Sequence, residues 1–249
     1  MYEEFFGFVE KPFSLTPDPK YLYKSESHAN AFELLQYSIR RREGFVVVTG
    51  DIGTGKTTLC RALLEQIDRR TFTALVLNPF LSEDDLLKLI LQDFGVVSRE
   101  EVKAGRLKGI SKQELIDTLY DFLLSLLPLQ ANAVLIIDEA QNLPLQVLEQ
   151  LRILSNLETD CQKLLQIVLL GQPELRKKLA RPELRQLAQR IAVRFHLQTL
   201  DPTDTAAYLR HRVAVASENA EAPTICFDAE AVDEIFRFSR GTPRLINAI

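Results

Sequence analysis

Five short β-rich runs alternate along the chain with stretches in which apolar residues recur at helical spacing. The runs cover residues 45–49, 74–77, 133–137, 166–170 and 193–197. Runs of this kind, separated by helices, are typical of a parallel sheet that is covered on both faces. From residue 200 onward the runs stop, and residues 206–217 and 228–240 predict amphipathic helices. The pattern therefore predicts an α/β fold followed by a smaller helical unit.

The interval between the second and third runs predicts two further helices, over residues 82–94 and 111–127, joined by a polar link over residues 97–110. Ser111 and Glu114 match a capping box, in which each side chain accepts a hydrogen bond from the other residue's backbone N–H.

The pattern divides the chain into three regions: an aromatic and proline-rich segment with a leading helix (1–42), an α/β core (43–199) and a helical unit (200–249). The final stretch, TPRLINAI, starts a helix without a stop signal. We therefore expect the helical unit to be incomplete and the native polypeptide to continue.

The composition is that of an ordinary globular protein, with 46% hydrophobic and 26% charged residues among 249. No apolar run approaches the roughly 20 residues that cross a bilayer, and the start lacks the features of a secretory leader, so we expect a cytoplasmic protein. A net charge of -4 provides no global attraction to nucleic acid. The cysteines match neither a disulfide framework nor a zinc site, and we expect Cys60, Cys161 and Cys226 to be buried.

The stretch GDIGTGKTT, Gly50 to Thr58, lies between the first β-rich run and a helical stretch. Its glycines, Gly50, Gly53 and Gly55, allow consecutive backbone N–H groups to point at phosphate oxygens, assisted by the following helix N-terminus. Lys56 would reach the β and γ phosphates, and Thr57 would offer its hydroxyl to Mg²⁺. The rest of the predicted cradle consists of Asp51, Ile52, Thr54 and Thr58. The alternative is an ordinary glycine-rich turn, but the sequence predicts a bound nucleoside triphosphate.

Asp138 and Glu139 follow the third β-rich run, at the sheet edge where α/β proteins hold ligands. Asp138 would bind Mg²⁺, usually through water, and Glu139 would orient and deprotonate the water that attacks the γ phosphate. The alternative is an acidic turn that caps the next helix.

Two amides follow other runs. Gln172 could hydrogen-bond the γ phosphate or the attacking water, or it could be a structural loop amide. Asn78 could hold Glu139 in an inactive orientation until a partner arrives, although asparagine before Pro79 is also a common start of a turn.

Arginines could complete the site. Arg190, and after it Arg194, are candidates to project from one subunit into the nucleotide site of the next, where they would stabilise charge on the transferring phosphate. The alternative for each is a solvated basic helix face. Arg244, in GTPR, could fold over the γ phosphate from the helical unit. The histidines His28, His196 and His211 show no metal-ligand spacing, and we assign them no chemistry.

Taken together, these motifs resemble the AAA+ ATPases: a Walker A motif at Gly50 to Thr57, a Walker B motif at Ile136 to Glu139, a polar residue after the fourth run, arginines before the fifth, and GTPR in a helical unit. The opening FGFVEKPFSLTPDPKYLYKSESHANAFELLQYSI, together with IIDEAQNL and LLGQPEL, is similar to the general secretion pathway protein A family over essentially the whole chain. The resemblance implies a P-loop NTPase fold of three αβα layers, a five-stranded parallel sheet of order 5-1-4-3-2 and a small helical lid over residues 200–249. It also implies ATP and Mg²⁺ as ligands.

The resemblance further implies an ATPase that assists assembly of a bacterial secretion or pilus envelope complex. The protein would act in the cytoplasm, with the inner face of the inner membrane as an option through a downstream segment. It would form a homo-oligomeric ring, for which a hexamer is one candidate, and would contact proteins of the secretion or pilus system.

The alternative function is a DNA-associated AAA+ regulator of transposition. Candidate basic residues for DNA are Arg40 to Arg42 and Lys103, Arg106 and Lys108, but the acidic total favours the first function. A GTP switch is disfavoured because no NKxD-type motif follows the strands, and a small-molecule kinase is disfavoured because Glu139 would favour water as the acceptor.

Overall fold

A computed structural model of the chain describes residues 2–77, 79–107, 109–217 and 225–249. Five strands form one sheet, and each overlaps one of the five β-rich runs. They are β1 Phe45–Gly50, β2 Thr71–Val76, β3 Asn132–Ile137, β4 Leu165–Gly171 and β5 Ile191–Leu197.

The strand order is β2-β3-β4-β1-β5, which is the predicted order 5-1-4-3-2 read from the other edge. The pairs β2–β3, β3–β4 and β1–β4 are parallel. Every residue of β1 and β4 is buried, whereas burial alternates along β2 and β5 because each of these lies at an edge of the sheet. The predicted α/β fold class is therefore confirmed.

Helices connect the strands and continue after β5. They are α1 Tyr2–Phe6, α2 Glu26–Arg40, α3 Lys56–Gln66, α4 Glu83–Asp93, α5 Arg99–Lys103, α6 Lys112–Ser125, α7 Leu145–Leu154, α8 Pro173–Leu179, α9 Arg185–Arg190, α10 Pro202–Ala216, α11 Ala229–Ser239 and α12 Pro243–Ile246. Within the described ranges, no helix combines the length and the apolar character needed to cross a membrane.

The region between β2 and β3 differs from the sequence prediction in one respect. The two predicted helices correspond to α4 and α6, and the capping box of Ser111 and Glu114 is present. The predicted polar link, however, contains α5, which begins with a second capping box between Ser98 and Glu101. The sequence prediction therefore missed this short helix.

The chain divides into two compact units. One unit comprises Leu34–Thr49 and Gln66–Phe195 and contains nearly all of the sheet. Its core is built from the apolar residues of the central strands and of the helices α4, α6 and α7. This core packs helices against the strands, and the acidic pair follows the carboxyl end of one of them, β3.

The other unit comprises Met1–Glu33, Gly50–Glu65 and His196–Ile249. Arg212 of α10 is 5% exposed, donates hydrogen bonds to the carbonyls of Pro12 and Ser14, and lies over the Tyr21 ring at 4.1 Å from its centroid. Burial lowers the pKa of Arg212. Arg61 of α3 donates to the carbonyl of Pro17 at 2.7 Å. The N-terminal segment is thus attached to both α10 and α3. The boundaries predicted at residues 42 and 199 remain a prediction.

Cysteine burial was predicted correctly at one of three positions. Cys60 is buried in α3, but Cys161 and Cys226 are exposed. Both exposed cysteines lie outside the regular elements, where an apolar pattern gives no guide to burial.

Candidate functional site

The predicted phosphate loop begins at the last residue of β1 and ends where α3 starts at Lys56. Gly53 and Gly55 have φ angles of +83° and +98°, which residues with a Cβ atom rarely adopt. The Thr54 hydroxyl donates a hydrogen bond to the Asp51 carbonyl at 2.9 Å. These features hold the loop in a tight turn at the N-terminus of an 11-residue helix, and the positive end of a helix dipole favours an anion.

The side chain of Lys56 lies within the loop. It is 6% exposed, and its Nζ donates to the carbonyls of Gly50 and Asp51, each at 2.8 Å. Thr57 and Thr58 are half-buried in the first turn of α3, and Ile52 is exposed. Two glycines with positive φ, a positively charged side chain inside the loop and a helix N-terminus fit a polyphosphate.

Arg244 lies against this loop. Its backbone N–H donates to the Gly53 carbonyl at 3.2 Å, and a Cβ atom placed on Gly53 would lie 2.5 Å from the Arg244 Cβ. The GTPR turn depends on Gly241, where a Cβ atom would lie 1.8 Å from the Leu200 carbonyl oxygen. The structure thus brings the predicted arginine of the helical unit to the phosphate loop, and its role toward a phosphate stays a prediction.

His28 also contacts the loop, although the sequence analysis assigned it no chemistry. It is 2% exposed; its Nε2 lies 2.9 Å from the Thr54 carbonyl and its Nδ1 2.7 Å from the Ser25 hydroxyl. Because a carbonyl only accepts, Nε2 carries the proton and Nδ1 accepts from Ser25. Burial lowers the pKa of His28, which favours the neutral ring. No local motif relates position 28 to the loop, and only the fold shows this contact.

The predicted acidic pair follows β3, in the unit that contains the sheet. Asp138 is 4% exposed, its backbone N–H donates to the Val76 carbonyl at 2.9 Å, and its Oδ1 accepts from the Glu139 N–H at 2.8 Å. Glu139 has φ 50° and ψ 36°, a left-handed conformation that is costly for a residue other than glycine. This backbone conformation, held by the bond to Asp138, turns the chain sharply at the end of the strand.

Two glutamine amides bind the Glu139 carboxylate. Gln172 donates from Nε2 to Glu139 Oε2 at 3.0 Å, and Gln141 donates from its own Nε2 to the same oxygen. Gln141 also accepts, through Oε1, the backbone N–H of Gln172 at 3.0 Å. The structure therefore brings the predicted Gln172 to the predicted base. The sequence analysis did not identify Gln141, and Asn78, the predicted partner of Glu139, lies outside the described residues.

The candidate trans arginines have contacts within their own chain. Arg190 donates to the Ser155 hydroxyl at 3.1 Å, and Arg194 donates to the Ala188 carbonyl at 2.8 Å. Their role toward a neighbouring subunit stays a prediction. Of the basic residues considered for DNA, Arg106 forms an ion pair with Glu101, and Lys108 lies outside the described residues.

Comparison with known proteins agrees with the fold. A family model described as "AAA domain" matches residues 39–179. The chain is 47% identical over 249 residues to general secretion pathway protein A of Aeromonas hydrophila, and it spans 43% of the length of that relative.

Similar solved structures include the ORC2 protein of Aeropyrum pernix (TM-score 0.68, 16% identity, 97% of this chain and 65% of that one). Cdc6p of Pyrobaculum aerophilum also has a TM-score of 0.68, at 16% identity over 96% of this chain and 64% of that one. At this level of identity the two structures support the fold alone. Because the family model covers more than half of the chain, the chain belongs to the AAA domain family, and a general secretion pathway protein A is among its relatives.

Proposed function

We propose that this chain binds ATP and hydrolyses it to ADP and phosphate. The phosphate loop carries the proposal: Gly53 and Gly55 adopt positive φ, and the Lys56 ammonium lies inside the loop on two backbone carbonyls. Phosphate oxygens would replace these carbonyls as partners of Lys56, and charge-assisted contacts of this kind are stronger than those to neutral oxygens. Arg244, whose backbone N–H donates to the Gly53 carbonyl, would add a second positive charge near the loop.

The hydrolytic step is assigned to the acidic pair. Thr57 and Asp138 would hold Mg²⁺, because hydroxyl and carboxylate oxygens are the ligands that this ion prefers. When bound, the ion would neutralise charge on the β and γ phosphates. Glu139 would accept a proton from the attacking water. Gln172 donates a hydrogen bond to the Glu139 carboxylate and would sense the position of that carboxylate.

Two substitutions test this proposal. Lys56→Ala should weaken ATP binding by about 100-fold, since charge-assisted bonds contribute roughly 1.5–3 kcal/mol each. Glu139→Gln should keep ATP bound and lower turnover by roughly 10²–10⁴-fold. The matched controls are Lys177→Ala and Glu174→Gln, whose side chains are exposed on α8. The measurements are titration with a fluorescent ATP analogue and release of phosphate. An ATP affinity of Lys56→Ala equal to that of the wild type and of Lys177→Ala, or unchanged turnover in Glu139→Gln, would remove the corresponding assignment.

The proposed cellular role is assistance in assembling a bacterial secretion or pilus envelope complex, supported by the 47% identity to general secretion pathway protein A. We further propose a homo-oligomeric ring in which Arg190 or Arg194 serves the site of the neighbouring subunit. A DNA-associated regulator of transposition would be favoured instead if duplex DNA stimulated phosphate release and the effect fell steeply with salt. The net charge of -4 argues against that outcome.

A further inference from the structure

We propose that Gln141 is a positioning residue that restrains Glu139, so that the chain hydrolyses ATP below its capacity until this contact opens. The inference rests on the proposed function, since it assumes that Glu139 is the base. It concerns a residue within the turn that follows Glu139, the 3-10 turn Ala140–Asn142.

The restraint acts at one oxygen. Oε2 of Glu139 accepts hydrogen bonds from the side-chain amides of both Gln141 and Gln172. A carboxylate oxygen has two lone pairs in its plane, so two donors fill the positions at which Oε2 could accept a proton. Because both donors hold Oε2, the carboxylate cannot turn either oxygen toward a water without breaking these hydrogen bonds.

Gln141 is itself held at both ends. Its Oε1 accepts the backbone N–H of Gln172 at 3.0 Å, and its backbone carbonyl accepts a hydrogen bond from Lys178 Nζ. Lys178 also donates to the carbonyl of Leu143 at 2.8 Å. Gln141 therefore cannot leave Glu139 by a simple side-chain rotation without losing a second hydrogen bond.

Gly171, the last residue of β4, leaves room for the Gln141 side chain. A Cβ atom on Gly171 would lie 2.9 Å from Gln141 Oε1 and 2.8 Å from Leu175 Cδ2. A larger residue at this position would thus push against the Gln141 amide. The glycine at the end of β4 permits the close approach that joins the turn after β3 to Gln172.

Through these contacts Gln141 couples two residues that are 33 positions apart in sequence, Glu139 and Gln172. A movement of Gln172 would break its own bond to Oε2 and would pull on Gln141 through the backbone N–H. The hydrogen bond from Gln141 to Glu139 would then weaken together with the hydrogen bond from Gln172. Gln141 would thus make release of Glu139 depend on the position of Gln172.

The test is steady-state hydrolysis by the full chain at saturating ATP and Mg²⁺. Gln141→Leu removes both amide contacts, and Gln141→Glu removes the donor while keeping an acceptor for Gln172. Each should raise kcat about tenfold, which corresponds to about 1.4 kcal/mol, and leave KM for ATP within about twofold, because the phosphate loop is unchanged. Asn142→Ala, an exposed amide on the same turn, is the control and should behave as wild type. Adding Glu139→Gln to Gln141→Leu should abolish the gain, because the effect acts through Glu139.

The outcomes separate the two proposals. A rise in kcat that disappears with Glu139→Gln supports the restraint. An unchanged or lower kcat in both Gln141 variants, while the wild type hydrolyses ATP, overturns the restraint and leaves the proposed function intact. Wild-type hydrolysis no higher than that of Lys56→Ala overturns the proposed function and this inference with it. If Gln141→Leu fails to fold, which circular dichroism would reveal, Gln141→Glu decides, because it preserves side-chain size and the acceptor.

Discussion

The contact between Gly53 and Arg244 gives the sharpest prediction about the phosphate loop. At Gly53 the φ angle is +83°, and a Cβ atom would lie 2.5 Å from the Arg244 Cβ and 3.1 Å from the Thr242 Cγ2. The nearest atom is a Cβ fixed to the backbone of α12, so it cannot turn away. Gly53→Ala must therefore displace α12 from the loop or distort the loop itself.

The magnitude follows by comparison with a second glycine. Gly95 has a similar φ of +77°, but nothing lies within 4 Å of a Cβ placed there. Both alanine variants therefore incur the strain of positive φ, roughly 1–2 kcal/mol, offset by about 0.4–1 kcal/mol from a less flexible unfolded chain. Only Gly53→Ala adds overpacking, about 1–3 kcal/mol, and a weakened bond between the Gly53 carbonyl and the Arg244 N–H, about 0.5–1.5 kcal/mol. The difference between the variants should thus be about 2–4 kcal/mol.

Thermal unfolding measures this difference. For a chain of this size, 1 kcal/mol shifts Tm by about 2–4 °C, so Gly53→Ala should melt roughly 5–15 °C below Gly95→Ala. Titration with an ATP analogue should also show weaker binding for Gly53→Ala alone. Equal Tm values and equal affinities for the two variants would refute the inferred packing of α12 on the loop.

Two further predictions concern buried polar residues. His28→Leu leaves the Thr54 carbonyl without its donor and should cost about 1–3 kcal/mol. Burial lowers the pKa of His28 in the folded chain, so the unfolded chain binds the proton more readily and the wild type loses stability below about pH 6.5. The Tm of His28→Leu should therefore fall less steeply below this pH. Parallel curves of Tm against pH for the variant and the wild type would contradict this. Arg212→Met removes two hydrogen bonds to N-terminal carbonyls and should cost about 2–4 kcal/mol and speed proteolysis of that segment. Arg210→Met, an exposed change on the same helix, should do neither, and equal digestion rates would exclude the anchoring role.

Local sequence was sufficient for the elements that depend on neighbouring residues. The strands were predictable because continuous apolar runs occur where both faces of a sheet are covered. The start of β2 was missed because Thr71, Phe72 and Thr73 alternate in burial at an edge of the sheet. The helix α5 could have been predicted, since Ser98 and Glu101 show the same capping pattern that identified α6. The sheet order came from family resemblance, because the pattern of runs does not specify which strands pair.

The contacts that complete the candidate site could not be read from local sequence. His28 meets Thr54 across 26 positions, and Gln141 meets Gln172 across 31. Each is a polar residue that becomes informative only once the fold determines its neighbour. The tight turn between β1 and α3 was predictable because its residues are consecutive and include Gly53 and Gly55, both of which adopt positive φ.

The backbone conformation of Glu139 in the turn after β3 is energetically unfavourable. Its left-handed backbone costs roughly 1–2 kcal/mol that glycine would largely avoid and asparagine would reduce. Selection for folding alone would therefore favour glycine or asparagine at position 139. If Glu139 is the base, as we propose, related chains that bind nucleotide without hydrolysing it are expected to carry those residues, whereas chains that turn over nucleotide are expected to retain glutamate. The residue at this one position would then distinguish related proteins that hydrolyse nucleotide from those that only bind it.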